Sequence, residues 1–244
     1  MKVLIKKIIL LLTLLFLPIA LWANSPIISG ISQNEINIDS NFNGAKVLVF
    51  GAKNEAGDIV VVVRGPKKDF RISKKEKFFG IWHNGKQIDF NDTYSFYNLF
   101  ATFDGKELNK QNLLEFEIGK NNLQLSQNVI FNQKFIDLME KNNLYTTGTG
   151  SIDFLGDTLF KIAIDFPANI LEGTYNIEIY LIDNGSIISF QSIPFYVNKI
   201  GLSADITKFA QQQKVIYGLL AILIAIVSGF IINFIFNRFF NKYG

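Results

Sequence analysis

The sequence has 244 residues, of which 49% are hydrophobic and 18% charged, with no cysteine and a single histidine. These counts exclude disulfides, thiolate metal sites, cysteine nucleophiles and any site that needs two imidazoles. The formal charge of +3 does not indicate a nucleic-acid binder, because residues 24–212 carry 18 basic side chains against all 21 acidic ones, a net charge of −3.

Residues 1–23 have the pattern of an export signal. Three lysines precede an apolar stretch at 8–17, and Ala23 offers a cleavage site. A small residue is expected three positions before the cleavage site, and Leu21 is too large to match this requirement well. An uncleaved signal anchor is therefore the alternative. Both readings predict that the chain after residue 23 is exported.

The segment 24–106 is predicted to be rich in β-strands. Apolar runs at 47–50 and 59–63 have strand length, and the turn residues between them predict a hairpin through 51–57. Pro66 should end the second strand, because proline cannot continue a strand ladder. Shorter strands are predicted near residues 70–72, 78–82, 87–90 and 95–102.

The segment 107–143 is predicted to be helical. Phe131, Phe135, Leu138 and Met139 recur at helical spacing, with Ser126 as a helix cap and a shorter helix at 108–116 before it.

Strands resume in the segment 144–200, where the sequence DNGS at 183–186 predicts a hairpin turn. The predicted strands are 151–154, 159–166, 174–182, 187–191 and 194–197. The predicted fold is therefore mostly β, with a helical insertion. It is either an immunoglobulin-like sandwich or two adjoining β-lobes, and 144–200 forms one domain with 24–106 in the first case.

The C-terminal part predicts a membrane anchor. A polar stem at 201–214 leads into residues 215–236, which contain no charge and span about 33 Å as a helix, so a transmembrane helix is predicted. The basic residues of 237–244 predict a cytoplasmic tail. Small residues share one face of the helix and could pack against another helix, although such stripes also occur without specific pairing. These are Gly218, Ala221, Ala225 and Gly229.

Residues 64–77, the basic segment, carry a net charge of +5. Its cations are Arg64, Lys67, Lys68, Arg71, Lys74, Lys75 and Lys77, and Trp82 follows closely. This cluster predicts a binding surface for a small anion, an anionic partner or lipid headgroups. The alternative explanation is that these lysines lie on a sheet edge and prevent it from pairing with another chain.

Candidate catalytic and metal-binding motifs are weak. The sequence DSNFNG at 39–44 begins like a calcium loop, but the twelfth position, which must supply a glutamate, is Phe50. His83 has no carboxylate pair nearby, and Asp153 and Asp157 are spaced like ordinary surface acids. We therefore predict a protein without catalytic residues, metal or cofactor. A hydrolase built on Asp or Ser side chains brought together by the fold is the remaining enzymatic alternative.

Several stretches together carry a family resemblance. They are FNG at 42–44, VLVFGA at 47–52, DIVVVVRGP at 58–66, KKEK at 74–77, GIW at 80–82, SFY at 95–97 and GTYNIEIY at 173–180. In this order they resemble the "putative transmembrane protein" family described from alphaproteobacteria. The resemblance implies a signal segment, an exported domain and one C-terminal span, and it implies no activity.

These features together favour a non-enzymatic accessory subunit of an inner-membrane complex, with most of the chain in the periplasm. A membrane-protein partner is expected, and a transporter is one candidate for it. Binding of a small anion or an anionic lipid headgroup through residues 64–77 is the alternative function.

Overall fold

Residues 25–102, 109–125 and 129–240 are described by the computed structural model. The predicted signal segment, the proposed cap Ser126 and residues 241–244 lie outside the described residues. The strands are β1 (Ile27–Ile31), β2 (Glu35–Ile38), β3 (Ala45–Lys53), β4 (Asp58–Arg64), β5 (Lys67–Phe78), β6 (Ile81–Tyr94), β7 (Tyr97–Ala101), β8 (Asp153–Leu155), β9 (Leu159–Phe166), β10 (Gly173–Asp183) and β11 (Ser186–Lys199). The helices are α1 (Lys110–Glu115), α2 (Val129–Lys141), α3 (Leu202–Gln212) and α4 (Lys214–Phe240), with a 3₁₀ turn at Lys120–Asn122.

The strands form two sheets and one long hairpin. Sheet A has the order β1-β3-β9-β8, sheet B has the order β2-β11-β10-β4-β7, and β5 pairs only with β6. All pairings are antiparallel except that of β2 with β11. Both sheets combine strands that precede the helices with strands that follow them. The predicted mostly β fold is confirmed.

The two sheets bury a common core between them. Alternate residues of β9, including Ile162 and Ile164, pack with Ile177 and Ile179 of β10 and with Val61 of β4. This alternation is the pattern of a strand with one face in a core and the other towards solvent.

Strand β4 is buried on both of its faces. Val61 points into the core between the sheets, whereas Val60 and Val62 belong to a second cluster with Phe135 and Met139 of helix α2. Sheet B is therefore a middle layer, with sheet A on one side and helix α2 with the root of the β5–β6 hairpin on the other. The unbroken apolar run at 59–63 reflects this double burial.

The predicted hairpin through 51–57 is wrong. Strand β3 lies in sheet A and β4 in sheet B, so the connection between them crosses from one sheet to the other. Turn residues mark where the chain reverses, but they do not determine which strand pairs with which. Val47 and Val49 of β3 share a core with Val61 of β4, whereas Leu48 and Phe50 of the first run are exposed on the other face of β3.

Two further strand predictions are corrected by the structure. The short strands expected at 70–72, 78–82 and 87–90 belong to two long strands, β5 and β6, and residues 78–82 contain the turn between them. The strands expected at 187–191 and 194–197 are one strand, β11, which continues through Pro194. The edge of β11 is open at Pro194, since β2 pairs with it only from Tyr196 onward, so the missing N–H breaks no ladder there.

The helices and the turn at 183–186 agree with the sequence prediction. Helices α1 and α2 lie in the predicted helical segment, and Asn184 and Gly185 both have positive φ, as a two-residue hairpin turn requires. The predicted stem contains helix α3. In the described part of the chain, one helix is long and apolar enough to cross a membrane, Lys214–Arg238 within α4.

Candidate functional site

The first cation of the basic segment, Arg64, lies in the interior at the root of the hairpin. It is the last residue of β4, only 5% exposed, and it forms an ion pair with Glu178 of β10. Its guanidinium also donates to the carbonyl oxygen of Phe116 and lies 5.6 and 6.0 Å from the ring centres of Tyr94 and Tyr97. Arg64 therefore stabilises the fold and is separated from the exposed cations that follow it.

Two buried tyrosines complete this cluster. The hydroxyl of Tyr97 donates to the carbonyl of Glu117 at 2.8 Å and accepts from the backbone N–H of Gly119 at 2.7 Å. The hydroxyl of Tyr145 donates to the carbonyl of Tyr94 at 2.7 Å. Burial raises the pKa of Tyr97 and of Tyr145. Both phenols thus remain neutral donors that fix the loop after α1 and the root of the hairpin.

This cluster was not apparent from the sequence. One signal was available in the sequence. An arginine that directly follows a run of five apolar strand residues is expected to be buried and to need a carboxylate partner. Glu178, which lies within the alternating strand β10, supplies it. The sequence did not show that these two strands would be neighbours.

Two further cations of the basic segment are paired with carboxylates of β6. The ammonium of Lys67 donates to Asp92 at 2.8 Å, and Arg71 donates to both oxygens of Asp89 at 2.5 and 3.2 Å. The hydrogen bond from Arg71 lowers the pKa of Asp89, and the hydrogen bond to Asp92 raises the pKa of Lys67. The positive charge near the root of the hairpin is therefore largely neutralised within the hairpin.

The other cations whose side chains the structure describes lie on the surface of the hairpin. Lys68, Lys75 and Lys77 are exposed, and the side chain of Lys74 lies outside the described residues. Lys75 donates to the neutral amide of Asn84 at 2.7 Å. The ammonium of Lys77 lies 5.9 Å from the ring centre of Trp82. The structure thus brings Lys75, Lys77 and Trp82 together near the end of the hairpin.

Residues 78–82, the hairpin tip, carry four large apolar side chains that face solvent. Phe79 is 91% exposed and Trp82 is 64% exposed, and Phe78 and Ile81 are similarly accessible. Phe79 and Gly80 have φ of +48° and +82°, as in a two-residue type I′ turn, where Asn-Gly is the preferred pair. A left-handed φ costs a residue with a β-carbon about 1 kcal/mol, and Phe79 gains no burial in return. Strained backbone beneath an exposed aromatic cluster is typical of a functional contact site.

A second apolar surface lies on the outer face of sheet A. A cavity of about 660 Å³ has a floor that includes Gly30, Gly51 and Ala52. Its exposed apolar side chains are Phe154 and four residues that the strand register puts on one face. These four, the sheet A patch, are Ile28, Phe50, Leu155 and Leu159. Among these, Ile28 is 68% and Leu155 77% exposed. This patch was not apparent from the sequence, because scattered apolar residues on an outer strand face carry no signal until the strand order is known.

Gly51 is needed where it stands in the floor of this cavity. A β-carbon at this position would lie 2.7 Å from the carbonyl oxygen of Ile28 and 2.5 Å from the ring of Phe160. A larger residue would therefore collide with the neighbouring strand and with the buried ring of Phe160.

The four small residues predicted to pack in the membrane lie on helix α4. A β-carbon added at Gly218 or Gly229 would meet no atom within 4 Å, so these positions are open to a second helix. The His, Cys, Asp and Glu side chains of the described ranges include no group of three or more that could hold a metal ion.

The chain was compared with known proteins. A search of curated protein sequences found no match. The model of a family described as "Putative transmembrane protein (Alph_Pro_TM)" matches residues 26–238, which include both sheets, the hairpin and the candidate membrane helix. The chain therefore belongs to this transmembrane protein family.

Proposed function

We propose that this protein is a non-enzymatic accessory subunit of an inner-membrane complex. Its folded domain lies in the periplasm, helix α4 crosses the inner membrane once, and the tail after Arg238 is cytoplasmic. The family match and the apolar helix support the membrane anchor. The export pattern of residues 1–23 and the basic residues after the span support the orientation.

The observation that carries the accessory role is the sheet A patch. Its four large apolar side chains surround a hollow of about 660 Å³, and exposed apolar side chains that are gathered in one place and rimmed by polar residues commonly mark a protein–protein contact. Charged side chains are few around it, with Asp153 and Lys161 directly opposite each other across β8 and β9 at one edge. This composition fits an apolar segment of a partner membrane protein, because aliphatic and aromatic contacts dominate the centres of such interfaces.

Site-specific photocrosslinking in native membranes tests this role. A benzophenone side chain placed at Leu155 or Leu159 should capture one defined membrane protein. The matched control is Asp165, which lies on the same face of β9 as Leu159, outside the patch, and pairs with Lys46. If the patch positions and Asp165 give the same products, or none, the patch is not the partner interface.

Reporter fusions test the orientation separately. Alkaline phosphatase fused after Lys199 should be active, whereas the same enzyme fused after Gly244 should be inactive. Green fluorescent protein should give the opposite result and fluoresce only after Gly244. Activity of the phosphatase only after Gly244 would contradict the proposed orientation while leaving the interface result untouched.

A second candidate function is the binding of a small anion or an anionic lipid headgroup through the basic segment. The observation that favours it is the exposure of Lys68, Lys75 and Lys77 on a hairpin that extends from the sandwich. The full chain in detergent should gain thermal stability from phosphate, sulfate, sulfite or a short-chain anionic lipid. Lys68→Glu with Lys75→Glu should abolish the gain, and Lys46→Glu on sheet A should not. If the gain in thermal stability persists in the variant with Lys68→Glu and Lys75→Glu, the anion binds elsewhere on the protein.

A further inference from the structure

We propose that the hairpin tip inserts into the interfacial layer of a lipid bilayer that contains anionic lipids. The bilayer is the one that holds helix α4. This inference deepens the second candidate function, since it rests on the basic segment and names a lipid surface as its ligand. It assigns the binding contact to the apolar tip, with the lysines behind it in a supporting role.

The first support is the place where the hairpin leaves the fold. A β-carbon at Gly173 would lie 2.9 Å from Pro66, which links β4 to the hairpin. Gly173 pairs with Val197 of β11, and β11 ends two residues later and leads through α3 into α4. The root of the hairpin therefore lies at the end of sheet B from which the chain continues to the membrane helix. A tethered contact of this kind has a high effective concentration.

The second support is the order of apolar and charged residues along the hairpin. Because a strand rises about 3.3 Å per residue, Lys77 and Lys75, which precede Phe79, lie about 7 and 13 Å behind it along the hairpin. Interfacial segments bury their apolar side chains about 5–10 Å below the headgroups. An inserted tip would thus place Phe79 and its neighbours among the acyl chains and the two lysines at the phosphates. Trp82 has the ring type that is enriched at this depth.

The third support is the distribution of charge. The carboxylates of Asp89 and Asp92 lie near the root, where they pair with Arg71 and Lys67. Residues 74–86, the distal part, contain four lysines and a single carboxylate. The net positive charge of the hairpin is therefore concentrated at the end that carries the apolar tip, as an anionic surface would require.

The fourth support is the conformation of Phe79. The side chain is almost fully exposed and stands on a backbone with φ of +48°. Its ring meets that of Phe78 edge-on, 4.6 Å between ring centres, but this contact leaves Phe79 91% exposed, and asparagine would form the same turn with less strain. The residue type is explained if the ring is buried by a surface outside the protein.

Fluorescence of the full chain in nanodiscs tests the proposal. The chain has two tryptophans, so a Trp22→Phe background leaves Trp82 as the only tryptophan, and its emission can be excited selectively at wavelengths that tyrosine does not absorb. In nanodiscs with about one-third phosphatidylglycerol, emission from Trp82 should shift to shorter wavelength and be quenched by lipids brominated on their acyl chains. Phe79→Ser should lower the ratio of inserted to free hairpins about 30-fold, because a phenylalanine loses its burial. Lys75→Gln with Lys77→Gln should lower it about 25-fold, or about fivefold per lysine.

A matched control places the emitter on another exposed aromatic position. Phe190→Trp combined with Trp82→Phe moves it to the middle of β11, where Phe190 is exposed, and this tryptophan should be neither shifted nor quenched. The proposal is overturned if Trp82 is not quenched in anionic nanodiscs, or if quenching is equal in purely zwitterionic ones. Crosslinking of the tip to a protein in cells, without quenching in nanodiscs, would assign the tip to a protein partner instead. Since the nanodiscs hold only this chain and lipid, these outcomes leave the partner role of the sheet A patch unaffected.

Discussion

Replacement of Arg64 by methionine should destabilise the domain strongly, although Arg64 belongs to the basic segment. The substitution keeps the length and apolar stem of the side chain and removes its charge. It leaves the carboxylate of Glu178, whose side chain is 16% exposed, without its cation. It also leaves the carbonyl of Phe116 without a side-chain donor.

The expected magnitude follows from this burial. Breaking a buried ion pair by removing one partner costs about 3–5 kcal/mol, because the remaining charge is not compensated. The hydroxyl of Tyr180 still donates to Glu178 at 2.6 Å, which favours the lower half of that range. For a domain of this size, such a loss lowers the melting temperature by roughly 10 °C.

Urea unfolding of the full chain in detergent measures the loss, with Arg71→Met as the matched control. Arg71 lies on the same hairpin and forms an exposed ion pair with Asp89, so its removal should change stability very little. Adding Glu178→Gln to Arg64→Met should recover a large part of the loss, because it removes the uncompensated charge. The reasoning is refuted if Arg64→Met is as mild as Arg71→Met, or if the double variant is no more stable than the single one.

Three further changes test other parts of the structure. Phe79→Asn should relieve the strain of the left-handed backbone at the hairpin tip. Hydrogen exchange of the tip amides should therefore slow about fivefold, with little change in global stability. Faster exchange would contradict the turn assignment. Gly51→Ala should lower the free energy of unfolding by about 1–3 kcal/mol through overpacking against β1 and Phe160. In the control Gly80→Ala, the added β-carbon would meet no atom within 4 Å, so this variant should show only backbone strain. Burial raises the pKa of Tyr97, Tyr145 and Tyr175 in the folded state, so the unfolded chain releases these protons first and stability should fall as pH rises above about 10. In urea titrations at pH 9–11, Tyr145→Phe should reduce that slope by about 0.7 kcal/mol per pH unit near pH 10 and by nearly 1.4 kcal/mol per pH unit at pH 11. An unchanged slope would show that Tyr145 ionises equally in both states.

Local features of the fold could be predicted from the sequence, because they depend on patterns a few residues long. The double burial of 59–63, the turn at 183–186 and the charge-free membrane helix each have such a pattern. The pairing of strands has no such local pattern. The assignment of β3 and β4 to different sheets depends on partners more than 100 residues away, β9 and β10.

The candidate site shows the same division. The basic segment was visible as a run of charge, but its separation into paired, buried and exposed cations depends on β6 and β10. The tip at 78–82 was predicted as a strand because it is apolar and aromatic. In the structure it is a turn, because Phe78 pairs with Ile81 and Phe79 and Gly80 take the left-handed conformation. The sheet A patch exists only once four strands from both halves of the chain are aligned.

The parallel pairing of β2 with β11 has a consequence for when the domain can fold. Ile36 pairs with Val197, so sheet B closes over 161 residues, and the cost of closing such a loop rises with its length. Strand β10, the central partner of β4, also comes late in the chain. An incomplete chain therefore lacks the strands that cover β4, and folding should be slow, as it is for topologies dominated by distant contacts. The two sheets can therefore form only after nearly all of the domain has been synthesised. The apolar helix that anchors it is synthesised shortly afterwards, so folding of the domain and insertion of its anchor should take place almost at the same time.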